Sequence, residues 1–398
     1  MTIALQEIIS VQGLAGGLND SNPQVSALAD GGFVVVWEGQ TSDGQGGKDI
    51  FVQKFSGCGS ATGNLQRLEG VVSWNLWDSN PQVAALDGGG FVVAWQGRTE
   101  TLSSDIFLQR FDPDGERIGE NIRLFGGEGD LWDHNARISE TSDGGFVVIW
   151  EGRNSREQKT DIFVQQYDAN GESSGWAINY SIDQNDAAAP SIVSGLEGSF
   201  VIVWQGKGSA SDIFVQKSVP FYNSCDYNIQ CGRIHLHGDQ AKNNYAPTIS
   251  PLADGGYVVV WVGETSDGQG TDIFAQRFDV SGFQSESVIR LQAEVGNLAD
   301  INPTVSALPN GGFVVAWQGQ TLANWQYRDI FIQTFNANGV KSGSPERLSG
   351  ISEDVLDKSP QLASLSEGGF IVTWQSYNSE WIFVQRFDSE GNKSGSTP

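Results

Sequence analysis

Apolar residues along this chain fall in short runs that alternate with polar ones at every second position, and the runs come back. "NPQVSALADGGFVVVWEGQ", from Asn22, returns from Asn80 as "NPQVAALDGGGFVVAWQGR". A period of two, with β-branched and aromatic residues at the apolar positions, predicts strands rather than helices. An aromatic residue, two β-branched residues, one further residue and a Trp recur with the Trp at 37, 95, 150, 204, 261, 317 and 374, spaced by 54 to 58 residues. A second run follows each Trp: "DIFVQKF" from Asp49, "DIFLQRF" from Asp105, "DIFVQQY" from Asp161, "DIFVQKS" from Asp212, "DIFAQRF" from Asp272, "DIFIQTF" from Asp329 and "WIFVQRF" from Trp381. The chain therefore repeats one unit seven times.

Each unit predicts four strands. The runs typified by "QVSAL", "FVVVW" and "DIFVQKF" are the first three, and "NLQRLEG", "NIRLFGG", "VIRLQAE" and "PERLSG" are weaker fourth ones. Asp30-Gly31, Asp143-Gly144, Asp254-Gly255 and Asn310-Gly311 join strands one and two as tight hairpins, since Gly adopts positive φ without a steric cost. "DPDG", "DANG", "NANG" and "DSEG" do the same between strands three and four.

Four-stranded antiparallel meanders at this period predict an all-β fold, a seven-bladed β-propeller. The expectation is a single domain over 1–398, with blades at about 22–70, 80–126, 135–182, 190–238, 246–293, 302–349 and 359–395. The last blade takes its fourth strand from residues 1–12, where "IALQEIIS" would close the ring.

Composition narrows the function. Lys+Arg 23 against Asp+Glu 48 gives 23 − 48 = −25, which makes nucleic acid and anionic membrane poor partners. No run of eighteen apolar residues occurs, and "MTIALQEIIS" lacks the basic and apolar regions of a secretory signal. A cytoplasmic monomer without a membrane span is expected, although leaderless export would leave no mark. Cys58, Cys225 and Cys231 are too few for a disulfide framework; a Cys225–Cys231 bridge stays open.

A residue present in all seven copies belongs to the scaffold. The motif Trp residues read as wedges between blades, the Gln of strand three (Gln53 through Gln385) as a partner for backbone groups between blades, and the six Asp before Ile-Phe as caps on main-chain N–H groups. Function is sought where copies differ, at the end carrying the four-to-one and two-to-three connections. Trp74, Trp77, Trp132, Trp325 and Trp381 fall in or beside those connections, and Trp176 falls elsewhere. Exposed aromatics there would mark a binding surface or roof the loops. Asp20, Asp78, Asp133, Asp300 and Asp357 recur three residues before the usual Pro and read as turn caps around a negative opening.

Blade three departs most, with "LWDHNARISE" where blade two has "LWDSNPQVAA". His134, Arg137 and Glu140 there are candidate catalytic residues, an imidazole or carboxylate base beside a fixed cation; a structural Arg137–Glu140 ion pair is the plainer reading. Trp77, Trp132, Trp325, Tyr327, Arg328 and Trp381 are candidate walls of a substrate pocket. His235 and His237 share one strand face, but H-x-H alone is a thin zinc signal. "DPDGE" (Asp112, Asp114, Glu116) and "TSDGQGTD" (Asp267, Asp272) echo calcium loops without the distant bidentate Glu. No motif demands a cofactor or a metal, and calcium stays open only through those fragments.

The pair "DGGFVVVW" and "DIFVQRFD" resembles the repeats of hemolysin-like, calcium-binding bacterial proteins. Over all seven blades it is also similar to the propeller of cyanobacterial cyclophane-forming enzymes, which alkylate resorcinol rings with secondary alkyl chlorides. What that resemblance implies is a natural-product enzyme carrying out carbon-carbon or carbon-oxygen alkylation on an aromatic or acyl ligand, at one site that breaks the symmetry. The residues alone leave a second reading, a non-enzymatic propeller that binds glycan or protein through aromatic and acidic loops.

Overall fold

A computed structural model describes residues 20–40, 47–57, 60–70, 77–99, 103–126, 132–153, 159–181, 186–207, 211–218, 232–238, 243–265, 270–293, 299–321, 324–348, 356–365, 368–376 and 381–394. Met1–Gln184 and Asn185–Pro398 form two compact units. The first holds three sheets. Blade one is β1 (Ser21–Ala27), β2 (Phe33–Gln40), β3 (Lys48–Phe55) and β4 (Ala61–Leu68). Blade two is β5 (Ser79–Ala85), β6 (Phe91–Arg98), β7 (Ser104–Phe111) and β8 (Arg117–Leu124). Blade three is β9 (Asp133–Glu140), β10 (Phe146–Arg153), β11 (Thr160–Tyr167) and β12 (Ile178–Asn179).

The second unit holds four more, whose first strands are Asp186–Ser194, Asn244–Pro251, Asp300–Ala307 and Asp357–Ser364. All seven sheets are four-stranded antiparallel meanders with neighbours in chain order, the blades of an all-β, seven-bladed β-propeller. In the last, Lys393–Ser394 pairs with Phe387 and Arg386 as a two-residue fourth strand. Residues 1–12, assigned above to that position, lie outside the described residues.

Five scaffold Trp residues, Trp95, Trp150, Trp261, Trp317 and Trp374, are wedges packed into the apolar layer of the blade before. All seven, Trp37 through Trp374, are at most 3% exposed. Each described partner ring is the Phe of strand three: Trp95 stacks on Phe107 at 5.7 Å and Trp150 on Phe163 at 5.9 Å between centroids. Within each unit consecutive blades share their apolar layers. Val92, Ala94, Ile106 and Leu108 of blade two pack with Phe146, Val148 and Trp150 of blade three. Fully burying one such side chain contributes about 1.5–3 kcal/mol, so these layers dominate the favourable side of folding.

One expectation about a polar scaffold residue changes, and another gains a partner. The strand-three Gln acts within its own blade rather than between blades. Gln109 Nε2 donates to the Arg110 and Ile118 carbonyls at 2.9 and 3.1 Å, and Gln165 Nε2 to those of Gln166 and Gly175 at 3.1 Å each. Those carbonyls lie where the chain turns from strand three to strand four, so the carboxamide satisfies acceptors that the short ladder leaves over. In four blades the Asp before Ile-Phe has a partner that the repeat pattern did not reveal, an Arg of strand four, while Asp161 has Asn179 and Asp212 has His237. Asp49 binds Arg67, Asp105 binds Arg123, Asp272 binds Arg290, and Asp329 binds Arg347 at 2.5 Å.

Two places after six of the seven scaffold Trp residues stands a Gly required by close approach, and after Trp374 stands Ser376. At Gly152 an added Cβ would meet Asp133 Oδ1 at 2.5 Å and the Phe163 ring at 2.7 Å. Gly152→Ala therefore forces two buried groups apart, and overpacking of this kind costs about 1–3 kcal/mol. Denaturant unfolding should show that loss with an unchanged slope. A change below about 0.5 kcal/mol, the size of an ordinary surface substitution, would contradict the packing described.

Candidate functional site

Four of the first strands begin with the same local device, and blade four has Ala187 in its place. Asp133 Oδ2 accepts the Gly126 N–H at 2.9 Å, Asp78 Oδ2 accepts that of Gly70 at 3.0 Å, and Asp300 Oδ2 accepts that of Ala293 at 2.8 Å. The donor in each case ends the preceding blade, so a buried acceptor ties one blade to the next. Burial pushes Asp133 and Asp300 up to about 8, and Asp78 well above the usual carboxylate range. Blade five has Asn244 in this place. It accepts from Gly238 N at 3.0 Å and from Trp261 Nε1 at 3.2 Å, without a charge to desolvate. The indoles of Trp150 and Trp317 lie against Asp133 and Asp300 and lower those carboxyls slightly, although their N–H groups miss good hydrogen-bond geometry.

Two residues on, the backbone turns left-handed in every blade: Asn22, Asn80, Asn135, Ala189, Ala246, Asn302 and Ser359 have φ between 49° and 55°. Asn tolerates this region better than most residues, which accounts for its place in four copies. The ladder slips there, as a β-bulge that re-aims the side chains on either side.

In blade one the buried Glu38 accepts from Asn22 Nδ2 at 2.6 Å, Ser21 Oγ at 3.0 Å, Lys48 Nζ at 3.1 Å and the Asn80 N–H of blade two at 2.9 Å. Burial works to raise its pKa, but these donors outweigh it and hold the carboxyl below the usual range. In blade three Glu151 occupies the corresponding place. Asn135 Nδ2 reaches it at 2.9 Å and His134 Nε2 at 3.1 Å. His134 therefore takes the place of Ser21 and supplies the cation that Lys48 supplies in blade one. Glu38, Lys48 and Glu151 were missed by the sequence reading. The signal was there: only two of the seven copies follow the scaffold Trp with Glu, and those two bring Lys48 and His134 with them.

His134 is raised above its ordinary value, first by its bond to Glu151 and then by charge and by the Trp132 carbonyl, with burial opposing. A carboxylate and a carbonyl both want protons from this ring, so the imidazolium is favoured and its basicity is spent inside the protein. Arg137 sits on the same strand, where blades one, two and seven have Gln24, Gln82 and Gln361. Its Nη1 donates to the Ala136 carbonyl at 2.8 Å, as Gln82 Nε2 does to Pro81. The side chain is open to solvent by area, yet the protein atoms crowding it lower its pKa, opposed by the charge of Glu151.

Arg137 and Glu140 do not pair. Glu140 lies at the other end of β9, opposite Phe146, and accepts from the Asp87 N–H in a hairpin of blade two. Six residues of strand put it about 20 Å from His134. Burial raises the Glu140 pKa.

Trp77 and Trp132 occupy the same place on successive blades, directly before Asp78 and Asp133, and are 53% and 49% exposed. Asp78 N donates to the Lys48 carbonyl at 2.8 Å, and Ser104 Oγ to the Asp133 carbonyl at 3.0 Å. Each Trp therefore stands where the incoming first strand is fastened to strand three of the blade before. Trp325, Tyr327 and Arg328 lie in the lengthened strand Asn324–Phe335 of blade six, and Trp381 begins strand three of blade seven opposite Ser376. These four belong to the second unit; the side chains of Trp325, Tyr327 and Trp381 are outside what is described, and so is Trp74.

Asp112 Oδ1 accepts the Asp114 and Glu116 N–H groups at 2.9 Å each, so in "DPDGE" the carboxylate faces amides. Asp267 and the Cys225–Cys231 pair fall outside the described residues. His237 Nδ1 lies 3.1 Å from Asp212, while His235 packs edge-on against Phe214. Among the described residues no three His, Cys, Asp or Glu side chains gather as a metal site, and no helix is long and apolar enough to cross a membrane.

No family model matches the chain, and no curated protein does. Solved structures similar in outline include the β-propeller domain of the Trilobed protease from Pyrococcus furiosus, at 9% identity and TM-score 0.49, covering 95% of each chain. Penicillium chrysogenum alpha-L-arabinanase complexed with arabinobiose matches at 12% identity and TM-score 0.46, over 80% of this chain and 93% of its own. A Dyadobacter fermentans protein of unknown function matches at 12% and 0.45, over 78% and 93%.

The contrast between Asp133 and Asn244 gives a pH test. A carboxyl raised to about 8 in the fold and near its ordinary value when unfolded contributes stability that is complete below about 4. That contribution is lost as pH rises toward 8, at up to about 1.4 kcal/mol per pH unit. Asp133→Asn should flatten this fall between pH 4 and 8 in parallel urea titrations of variant and parent. Identical pH profiles would show that the Asp133 carboxyl is not raised.

Proposed function

We propose that this protein is a ligand-binding β-propeller that takes a sugar ring at the rim of blades two and three, on the exposed indoles of Trp77 and Trp132. The observation that carries this reading is the repetition of a half-exposed Trp at one structural position on two successive blades. An indole at a fixed strand start offers a flat, rigid apolar surface, and the C–H face of a pyranose or furanose ring is its natural complement. An exposed indole repeated on two successive blades suits an oligosaccharide better than a single reaction centre.

The alkylating activity implied by the repeat resemblance has weaker support. Its acid–base set is dispersed among the described residues: Glu140 is at the far end of β9, and His134 is engaged with Glu151 and the Trp132 carbonyl. The aromatic surface remains in place without them.

Trp77→Ala and Trp132→Ala test the reading. Calorimetric titration with a panel of plant and microbial oligosaccharides should find a binder for the parent protein, weakened about thirtyfold by either substitution, the effect of losing a central aromatic anchor worth about 2 kcal/mol. Both variants should keep the parent's unfolding midpoint. A bound sugar that neither substitution weakens would refute the proposed surface.

A further inference from the structure

We infer that the sugar taken at this rim is one extended chain, which crosses from blade two to blade three over Arg98 and covers Trp77 and Trp132 together. The inference rests on the binding reading above and adds the ligand's length and path to it. Strand register leads there. The Arg153 N–H donates to the Trp132 carbonyl at 3.2 Å, so these two residues stand opposite one another at the rim of blade three. In blade two Ser79 faces Gln96, and two places outward the same register sets Arg98 opposite Trp77. Each exposed indole is therefore paired across the strand with a guanidinium.

The pairing is peculiar to these two blades. Where the other five end strand two they have Gln40, Lys207, Glu264, Gln320 and Tyr377, and none of them has Trp ahead of its first strand. Blades one and six close this point of the ladder with Gln, so the fold does not require an arginine there. The arginine comes only with the indole.

Parity gives the direction in which the pair points. Arg98 shares its face of β6 with Val92 and Ala94, which pack on Phe146, Val148 and Trp150 of blade three. Opposite residues of an antiparallel pair share a face, so Trp77 and Arg98 both lean toward blade three. One strand further out, Arg98 pairs with Ser104, whose Oγ donates to the carbonyl of Asp133, the residue after Trp132. The equivalent contact one blade earlier, Lys48 with Trp77, is itself a parallel β-bridge. Trp77, Arg98, Ser104 and Trp132 thus form a row of three inter-strand steps, about 14 Å at about 4.8 Å each.

A single ring resting on one indole leaves the other uncovered. A linear chain that follows the row covers both, and its middle lies over a guanidinium whose N–H donors suit ring hydroxyls. The second indole then meets a chain already tethered at the first, which turns two weak contacts into one stronger attachment.

The test compares two-ring and six-ring members of the 4-linked gluco-, xylo- and galacto-oligosaccharides by calorimetry. In at least one series the six-ring sugar should bind one per protein, about thirtyfold more tightly than the two-ring sugar, the factor that one central aromatic anchor supplies. W77A and W132A should each bring the six-ring sugar back to the two-ring affinity. R98Q, which restores the residue of blades one and six, should weaken the six-ring sugar about tenfold, the effect of losing a hydrogen bond to a charged group. R117Q removes the same charge from an outer strand and should change nothing. Two six-ring sugars per protein, a Trp-dependent affinity that does not grow with length, or a six-ring affinity indifferent to R98Q overturns the inference and leaves the binding surface standing. Failure of every sugar to bind, or binding indifferent to both Trp substitutions, overturns both.

Discussion

Four blades of this fold are tied to the blade before, beneath the shared apolar layers, by a buried acceptor at the start of the first strand. Asp78, Asp133, Asn244 and Asp300 each bond the last amide of the preceding blade. The left-handed residue and the bulge lie within three residues of that contact, and the glycine that must lack a Cβ faces it from the next strand. A carboxyl there gives up hydration and rises to about 8. The fold accepts that cost because an unpaired buried amide at the same point would also be expensive. Asn244 shows the alternative, with the same bond made by a neutral group.

Much of this was legible in the sequence because it is repeated. Strands, hairpins and Trp wedges follow from period and turn chemistry, and seven copies average away the noise of any single one. Polar partners were less legible. The strand-three Gln faces carbonyls of its own blade, and the strand-three Asp finds an Arg eighteen residues later, as in Asp105 and Arg123. Both facts depend on register, which hydrophobic period does not specify. The recurring Asp before Pro was read as a turn cap, and its tie to the previous blade appears only once the strands are placed.

The candidate site was legible in part for a related reason. His134 and Arg137 stood out as departures, but the departure that explains His134 is Glu151, on the next strand. Glu140 looked like their neighbour because it is close in sequence, yet a strand carries six residues about 20 Å. The two symmetry-breaking carboxylates, Glu38 and Glu151, come with matched cations, so most of the rim's irregular charge is consumed in balancing itself. The exposed indoles of Trp77 and Trp132 remain available for recognition.

The central claim is that repeated residues hold the blades while the unrepeated rim of blades two and three meets ligand. Indole 15N–1H spectra separate the two most directly, since the chain has 13 Trp and seven are scaffold. Addition of a bound sugar should move the Trp77 and Trp132 resonances and leave those of Trp37, Trp95, Trp150, Trp204, Trp261, Trp317 and Trp374 in place. Shifts among the seven buried indoles, with the two rim indoles unmoved, would contradict it.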